Sequence, residues 1–322
     1  MRSLWAAAAV PVLSLGPLIG SPGAPPDGAL DLISWSKSDP IAVRTGLDLY
    51  VVRGDAAQPL QIEGLEQPWD MTRGSKGGLY VVGKSEKGLR LLKSDDGSHW
   101  TTVALPDAGV GMTMGAVAVV PDADASSDEG IALWGHDRVW RRIRGRWEEL
   151  QITGSLWEIR AARRFIAHDQ LWVATPAVMG GGAQVHHLPL MTTPRRWHAE
   201  GALPGGQVFR CLALSGDRVL ACGAGERGSS VFEWVSGRFR SRLKLAGERL
   251  VDVAGDWVLT TGGIRPLKGG EAAVRFDFPF ELIQSLGVGA DGRWYLSLAG
   301  AGEVDLGTPQ APGTVRVLRR PR

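Results

Sequence analysis

Apolar residues fall in short runs of four or five, and similar runs return at near-regular intervals along the chain. The tetrapeptide Leu-Tyr-Val-Val stands at residues 49–52 and again at 79–82, and looser copies follow at 130–134, 170–173, 218–221, 256–259 and 293–296. Each run is too short for a helix, is rich in β-branched and aromatic residues, and lies beside turn-forming Gly or Asp, so each predicts a strand. Six intervals separate residue 49 from residue 294, a mean of about 41 residues, the length of one four-stranded propeller blade.

The pattern within a unit is a first strand, a turn, the apolar second strand, a third strand, and a fourth opened by Gly and an aromatic. Residues 139–147 and 231–239 share Val, aromatic, two variable residues, a β-branched residue, one variable residue, Gly-Arg and an aromatic, at a distance of two units. Trp100, Trp147, Trp197 and Phe239 thus mark successive fourth strands. The expected fold is an all-β propeller of seven blades, or of six or eight if a weak unit is misread. The first unit, from Ile41 to about Gly64, is short. The last has strands near 283–288, 294–298 and 314–319 and lacks a fourth. Residues 30–35 are expected to supply it and close the ring with an N-terminal strand.

Composition adds compartment. Of 322 residues, 44% are apolar and 22% charged, a globular balance, and the net charge of +2 gives no field that points to nucleic acid. Arg2 precedes an apolar stretch at 4–19 and then small residues, with Ser21 and Gly23 placed as a signal peptidase requires. Residues 1–23 are therefore read as a signal peptide, 24–29 as a linker and 30–322 as the propeller. Export to the periplasm or the medium follows, with no membrane span after signal removal and a monomer as the expected state. Cys211 and Cys222 flank a Gly216-Asp217 hairpin loop at equal distances, which makes them cross-strand neighbours and a predicted disulfide.

Residues 93–100 form a hairpin segment in which Asp95, Gly97 and Trp100 stand at the spacing Asp-x-Gly-x-x-Trp. This resembles the Asp-box of bacterial neuraminidase repeats, with Lys93 in place of the usual hydroxyl residue. The resemblance implies a propeller similar to the sialidase-like, sortilin-like and photosystem II assembly factor types. In it Asp95 would cap its own turn, Gly97 would take the left-handed bend and Trp100 would anchor the hairpin, all structural roles. A sialidase also needs a tyrosine nucleophile and an arginine triad. Tyr50, Tyr80 and Tyr295, the three tyrosines here, all fall in the repeated apolar runs, which argues against that activity.

Three other groups carry candidate chemistry. Trp69, Asp70 and Arg73 in one unit match Trp157, Glu158 and Arg160 in another, at the mouth of the channel where first strands begin. An aromatic followed by an acid there would suit a sugar-binding rim. Eight arginines against three glutamates lie between 138 and 164, and Arg138, Arg141, Arg142, Arg144, Arg163 and Arg164 are read as a patch for an acidic partner. Asp122, Asp124, Ser126 and Asp128 space oxygen ligands as a calcium loop begins, but the Gly and the terminal Glu of such a loop are missing. His186 and His187 point to opposite faces of one strand and do not form a metal site.

The reading that unites these features is an exported, non-catalytic scaffold that binds a protein or an acidic polysaccharide, with no resident cofactor. The alternative is a glycan-active hydrolase or lyase, for which Asp70, Glu158 and Asp252 are the first-strand acids available. A hydrolase would need two of them converging on one pocket, roughly 5 to 9.5 Å apart.

Overall fold

The computed structural model describes residues 12–13, 29–34, 41–45, 48–53, 56–74, 78–105, 116–120, 130–134, 138–143, 145–153, 163–174, 183–192, 195–226, 228–276, 283–288, 294–298 and 314–318. All of its regular elements there are strands. β1 (Val12–Leu13) lies within the segment read as a signal peptide. The first sheet is β2 (Ala29–Ser34), β3 (Ile41–Thr45), β4 (Asp48–Arg53) and β5 (Ala56–Pro59). The second is β6 (Gln67–Arg73), β7 (Leu79–Ser85), β8 (Gly88–Ser94) and β9 (Thr101–Val103). The third is β10 (Ala116–Val120), β11 (Gly130–Trp134), β12 (Val139–Ile143) and β13 (Arg146–Leu150), followed by β14 (Ile152–Thr153).

The fourth sheet is β15 (Arg163–Ala167), β16 (Gln170–Ala174), β17 (Val185–Pro189) and β19 (His198–Glu200), while β18 (Arg195–Arg196) pairs in parallel with β14. The fifth is β20 (Val208–Ser215), β21 (Arg218–Gly225), β22 (Gly228–Val235) and β23 (Arg238–Leu245). The sixth is β24 (Leu250–Ala254), β25 (Trp257–Thr260), β26 (Gly263–Pro266) and β27 (Val274–Phe276), with β1 as a parallel edge on β27. The seventh is β28 (Ile283–Val288), β29 (Trp294–Leu298) and β30 (Thr314–Leu318).

The first strands of successive sheets lie beside one another, from β2 through β6, β10, β15, β20 and β24 to β28, and β28 lies against β2. Six apolar clusters fill the spaces between consecutive sheets, and each cluster draws on two of them. The fourth-strand aromatics follow one rule. Trp100, Trp147, Trp197 and Phe239 all pack back onto the space shared with the preceding sheet. Trp147 also donates its Nε1 hydrogen to the carbonyl of Ala104 at 2.6 Å. Burying apolar faces on both sides is what the repeat is for, since one such sheet alone cannot cover itself.

Two expectations are corrected. β2 does not pair with β30; it runs antiparallel to β3, from Ala29 opposite Thr45 to Ser34 opposite Ile41, as the first strand of its own sheet. A hairpin over a short connection closes a small loop, whereas pairing with β30 would have to close nearly the whole chain. Among the described residues the seventh sheet has three strands. As a result, the Leu-Tyr-Val-Val copy at 49–52 lies on β4, the third strand of its sheet, while the other six copies lie on second strands. That accounts for the short first interval of 30 residues between the two identical copies.

Candidate functional site

The first strands β2, β6, β20, β24 and β28 each carry a register shift near their start, at Asp31, Asp70, Cys211, Asp252 and Ser285. A bulge re-aims the side chain that follows it. Asp70, Cys211, Asp252 and Ser285 are all buried there. On β15, Arg163 and Arg164 meet two of these acids. Arg164 donates from Nε to Asp70 Oδ2 at 2.7 Å, and its Nη2 also pairs with Oδ1. Arg163 forks onto Asp252, with Nη2 2.8 Å from Oδ2 and Nη1 on Oδ1. Asp252 further accepts the backbone N–H of Val253 at 2.7 Å and of Leu286 at 3.0 Å. The side chains of Asp70, Asp252 and Arg164 are at most 3% exposed. One strand of the fourth sheet is thus tied to the second and sixth sheets, and through Asp252 to the seventh.

This overturns two expectations. Arg141, Arg163 and Arg164 do not share a basic face. Arg141 is buried, donating to Glu148 Oε2 at 2.7 Å and to the Leu190 carbonyl at 3.1 Å. Arg163 and Arg164 point away from each other into separate ion pairs. Arg138 is exposed and Arg142 half-buried, and Arg144 lies outside the described residues. The reason is general: unpaired arginine is costly to bury, so each buried one here finds its own acceptor. The sugar-binding rim also fails on its described side. Trp69 is buried between the second and third sheets with Tyr80, Val82 and Ile131, Asp70 is consumed by Arg164, and Arg73 is exposed. Trp157, Glu158 and Arg160, and the candidate calcium ligands Asp122, Asp124, Ser126 and Asp128, lie outside the described residues.

At residues 94–100 the turn is capped one residue later than the Asp-box alignment places it. Asp96 Oδ1 accepts the N–H groups of Ser98 at 2.7 Å and His99 at 2.8 Å, and Ser94 Oγ accepts that of Gly97 at 2.8 Å. Asp96 Oδ2 lies 2.6 Å from His99 Nδ1. The His99 hydrogen bonds, followed by that of Ser98, hold the Asp96 carboxyl well below the usual carboxylate range, and Asp96 in turn raises His99. Asp95 is exposed and meets Lys93 at 3.5 Å, so the capping role assigned to it belongs to Asp96. Gly97 does take the left-handed bend, at φ 76°, and Trp100 packs between the first and second sheets.

Cys211 and Cys222 face each other across β20 and β21 and are joined by a disulfide, with Cα atoms 4.8 Å apart. His187 stacks between Trp172, at 4.7 Å, and His198, at 5.0 Å, with Nε2 2.9 Å from Glu200 Oε1. Its neighbour His186 is on the opposite face, and among the described residues no cluster of three metal-ligating side chains occurs.

Sequence reasoning missed one open feature among the described residues. A groove of about 1490 Å³ crosses one end of the fifth sheet. Three turns meet there: residues 203–207 before β20, the Glu226 turn between β21 and β22, and residues 246–249 after β23. The signal that could have found it is the density of glycine at those turns, Gly205, Gly206, Gly225, Gly228 and Gly247.

No family model and no curated protein matches the chain. Among solved structures, YCF48 bound to D1 peptide is 13% identical, with 97% of this chain and 98% of that one covered and a TM-score of 0.53. Virginiamycin B lyase from Staphylococcus aureus is 9% identical over 91% of this chain and 95% of that one, with a TM-score of 0.50. Among the described residues no helix is long and apolar enough to cross a membrane. At such identities the likeness is one of architecture, and with the radial sheets described above it establishes that the chain is a β-propeller.

Proposed function

We propose that this chain is an exported, non-catalytic propeller that binds a segment of another protein. The observation that carries the reading is the contrast between buried, paired acids and an open groove. The first-strand acids Asp70 and Asp252, which a hydrolase would need free, are buried and consumed by Arg164 and Arg163. The fifth sheet, by comparison, holds a broad groove open to solvent. YCF48, similar in fold, was captured with a peptide, which supports a peptide as ligand class, and the leader-like residues 1–23 support export.

The test is a paired screen of the purified protein on an array of ten-residue peptides and on a glycan array, with product analysis for the glycans. Peptide capture without glycan turnover is expected. Glycan cleavage, or glycan capture with no peptide bound, would overturn the proposal.

A further inference from the structure

Strand direction puts the groove at a single end of the fifth sheet, because β20 and β22 enter there and β21 and β23 leave. Its rim is low. A Cβ built on Gly205, Gly206 or Gly247 would meet nothing within 4 Å, so bare backbone faces solvent at both ends of the groove. Val208, 41% exposed, offers an apolar contact on β20. Charge is unevenly spread. Glu248 is engaged by Arg265 and by Thr260 Oγ1, the latter at 2.7 Å. Burial pushes its carboxyl up, but these partners outweigh burial and hold it below the ordinary range. Glu226 is exposed on the β21–β22 turn. Arg210 on β20 and Lys244 on β23 are both exposed, and neither has an ion pair among the described residues.

The spacing of those two cations narrows the ligand. β20 and β23 are the inner and outer strands of a four-stranded sheet, three strand spacings or about 14 Å apart. A single phosphate cannot reach both. An extended peptide rises about 3.4 Å per residue, so about four residues span that distance, and side chains four apart on a strand share a face. We infer that the groove takes an extended acidic peptide whose carboxylates stand about four residues apart, one on Arg210 and one on Lys244. This rests on the peptide-binding reading above and adds the site and the charge pattern.

The probes are ten-residue peptides of Ser and Val that carry two Asp at separations from one to eight, measured by fluorescence anisotropy. Affinity is expected to peak near a separation of four and to fall with added salt. The double variant Arg210→Glu/Lys244→Glu should lose at least tenfold. Arg238→Glu, exposed on the same strand but outside the groove, should bind as the parent does, and thermal melts of both variants should match the parent. Peptide binding that ignores Asp separation, or survives the double reversal, overturns the groove assignment and leaves the peptide reading standing. Failure to bind any peptide, acidic or neutral, removes both. Displacement by polygalacturonate as effective as by free peptide, at equal carboxylate concentration, would give the groove to a polysaccharide instead.

Discussion

Arg163 and Arg164 are successive residues of one strand, so their side chains leave on opposite faces, and each finds a buried aspartate on a different sheet. Removing one member of such a pair strands the other in a low-dielectric site, which typically costs about 3–5 kcal/mol. Asp70→Ala should therefore lower unfolding stability by about that amount in urea titration, whereas exposed Arg73→Ala should change it by less than about 0.5 kcal/mol. A loss below about 1 kcal/mol for Asp70→Ala would remove the ion pair from the account. The Asp96–His99 contact makes a second prediction, on pH. A raised histidine stabilises below its unfolded pKa and loses that contribution as pH rises through the folded one; a lowered aspartate stabilises above its unfolded pKa and loses it as pH falls. Proton NMR should show His99 titrating above an ordinary histidine, and Asp96→Asn should return it to the ordinary value. None of this directionality was legible in the sequence. Local counting saw arginines crowded between 138 and 164, but the acids that answer Arg163 and Arg164 lie 89 and 94 residues away. The turn at 94–100 was legible to within one residue, because the spacing to Gly97 and Trp100 selects Asp95 whereas the hydrogen bonds are made by its neighbour Asp96.

Strands were the most legible level. Six copies of the apolar run fell on second strands because a strand buried on both faces needs a continuous apolar stretch, which is the easiest pattern to read. The hairpin register around Gly216 was legible too, since a two-residue loop fixes the pairs from Ser215 and Arg218 up to the bulge and so brings Cys211 opposite Cys222. What misled was the first sheet, where the same tetrapeptide occurs on the third strand instead of the second, so the strand order within that sheet was read one place out. The placement of β2 can be checked directly. In protein lacking residues 1–35, amide exchange should accelerate along β3 (Ile41–Thr45), whose pairing partner is gone, while the cross-strand bonds between β29 and β30 persist. Acceleration on β30 (Thr314–Leu318) with β3 unchanged would restore the closure first expected from the sequence. The groove of the fifth sheet shows the opposite limit. Its turns were visible as glycines, but glycine marks where backbone can bend and says nothing about whether bends from three loops meet.

At the scale of the molecule, the core among the described residues is distributed over six clusters between consecutive sheets, and the repeat alone was enough to expect it. A fold made of similar units ordinarily tolerates partial assembly, because each unit answers only to its neighbours, as in stacked solenoids. The clasp at Arg163 and Arg164 breaks that rule by joining the second, fourth and sixth sheets. It works as a keystone, and it carries a consequence for the order of manufacture. Asp70 emerges early in synthesis, the two arginines near the midpoint, and Asp252 late, so a growing chain must keep Arg163 hydrated until the sixth sheet exists. A fragment ending at residue 245 retains the whole fifth sheet and yet should show no cooperative melting transition, a result that calorimetry can give. A sharp transition in that fragment would mean the arch stands without its keystone. Otherwise the protein has no stable half, and the whole chain would have to be in place before any of it could set.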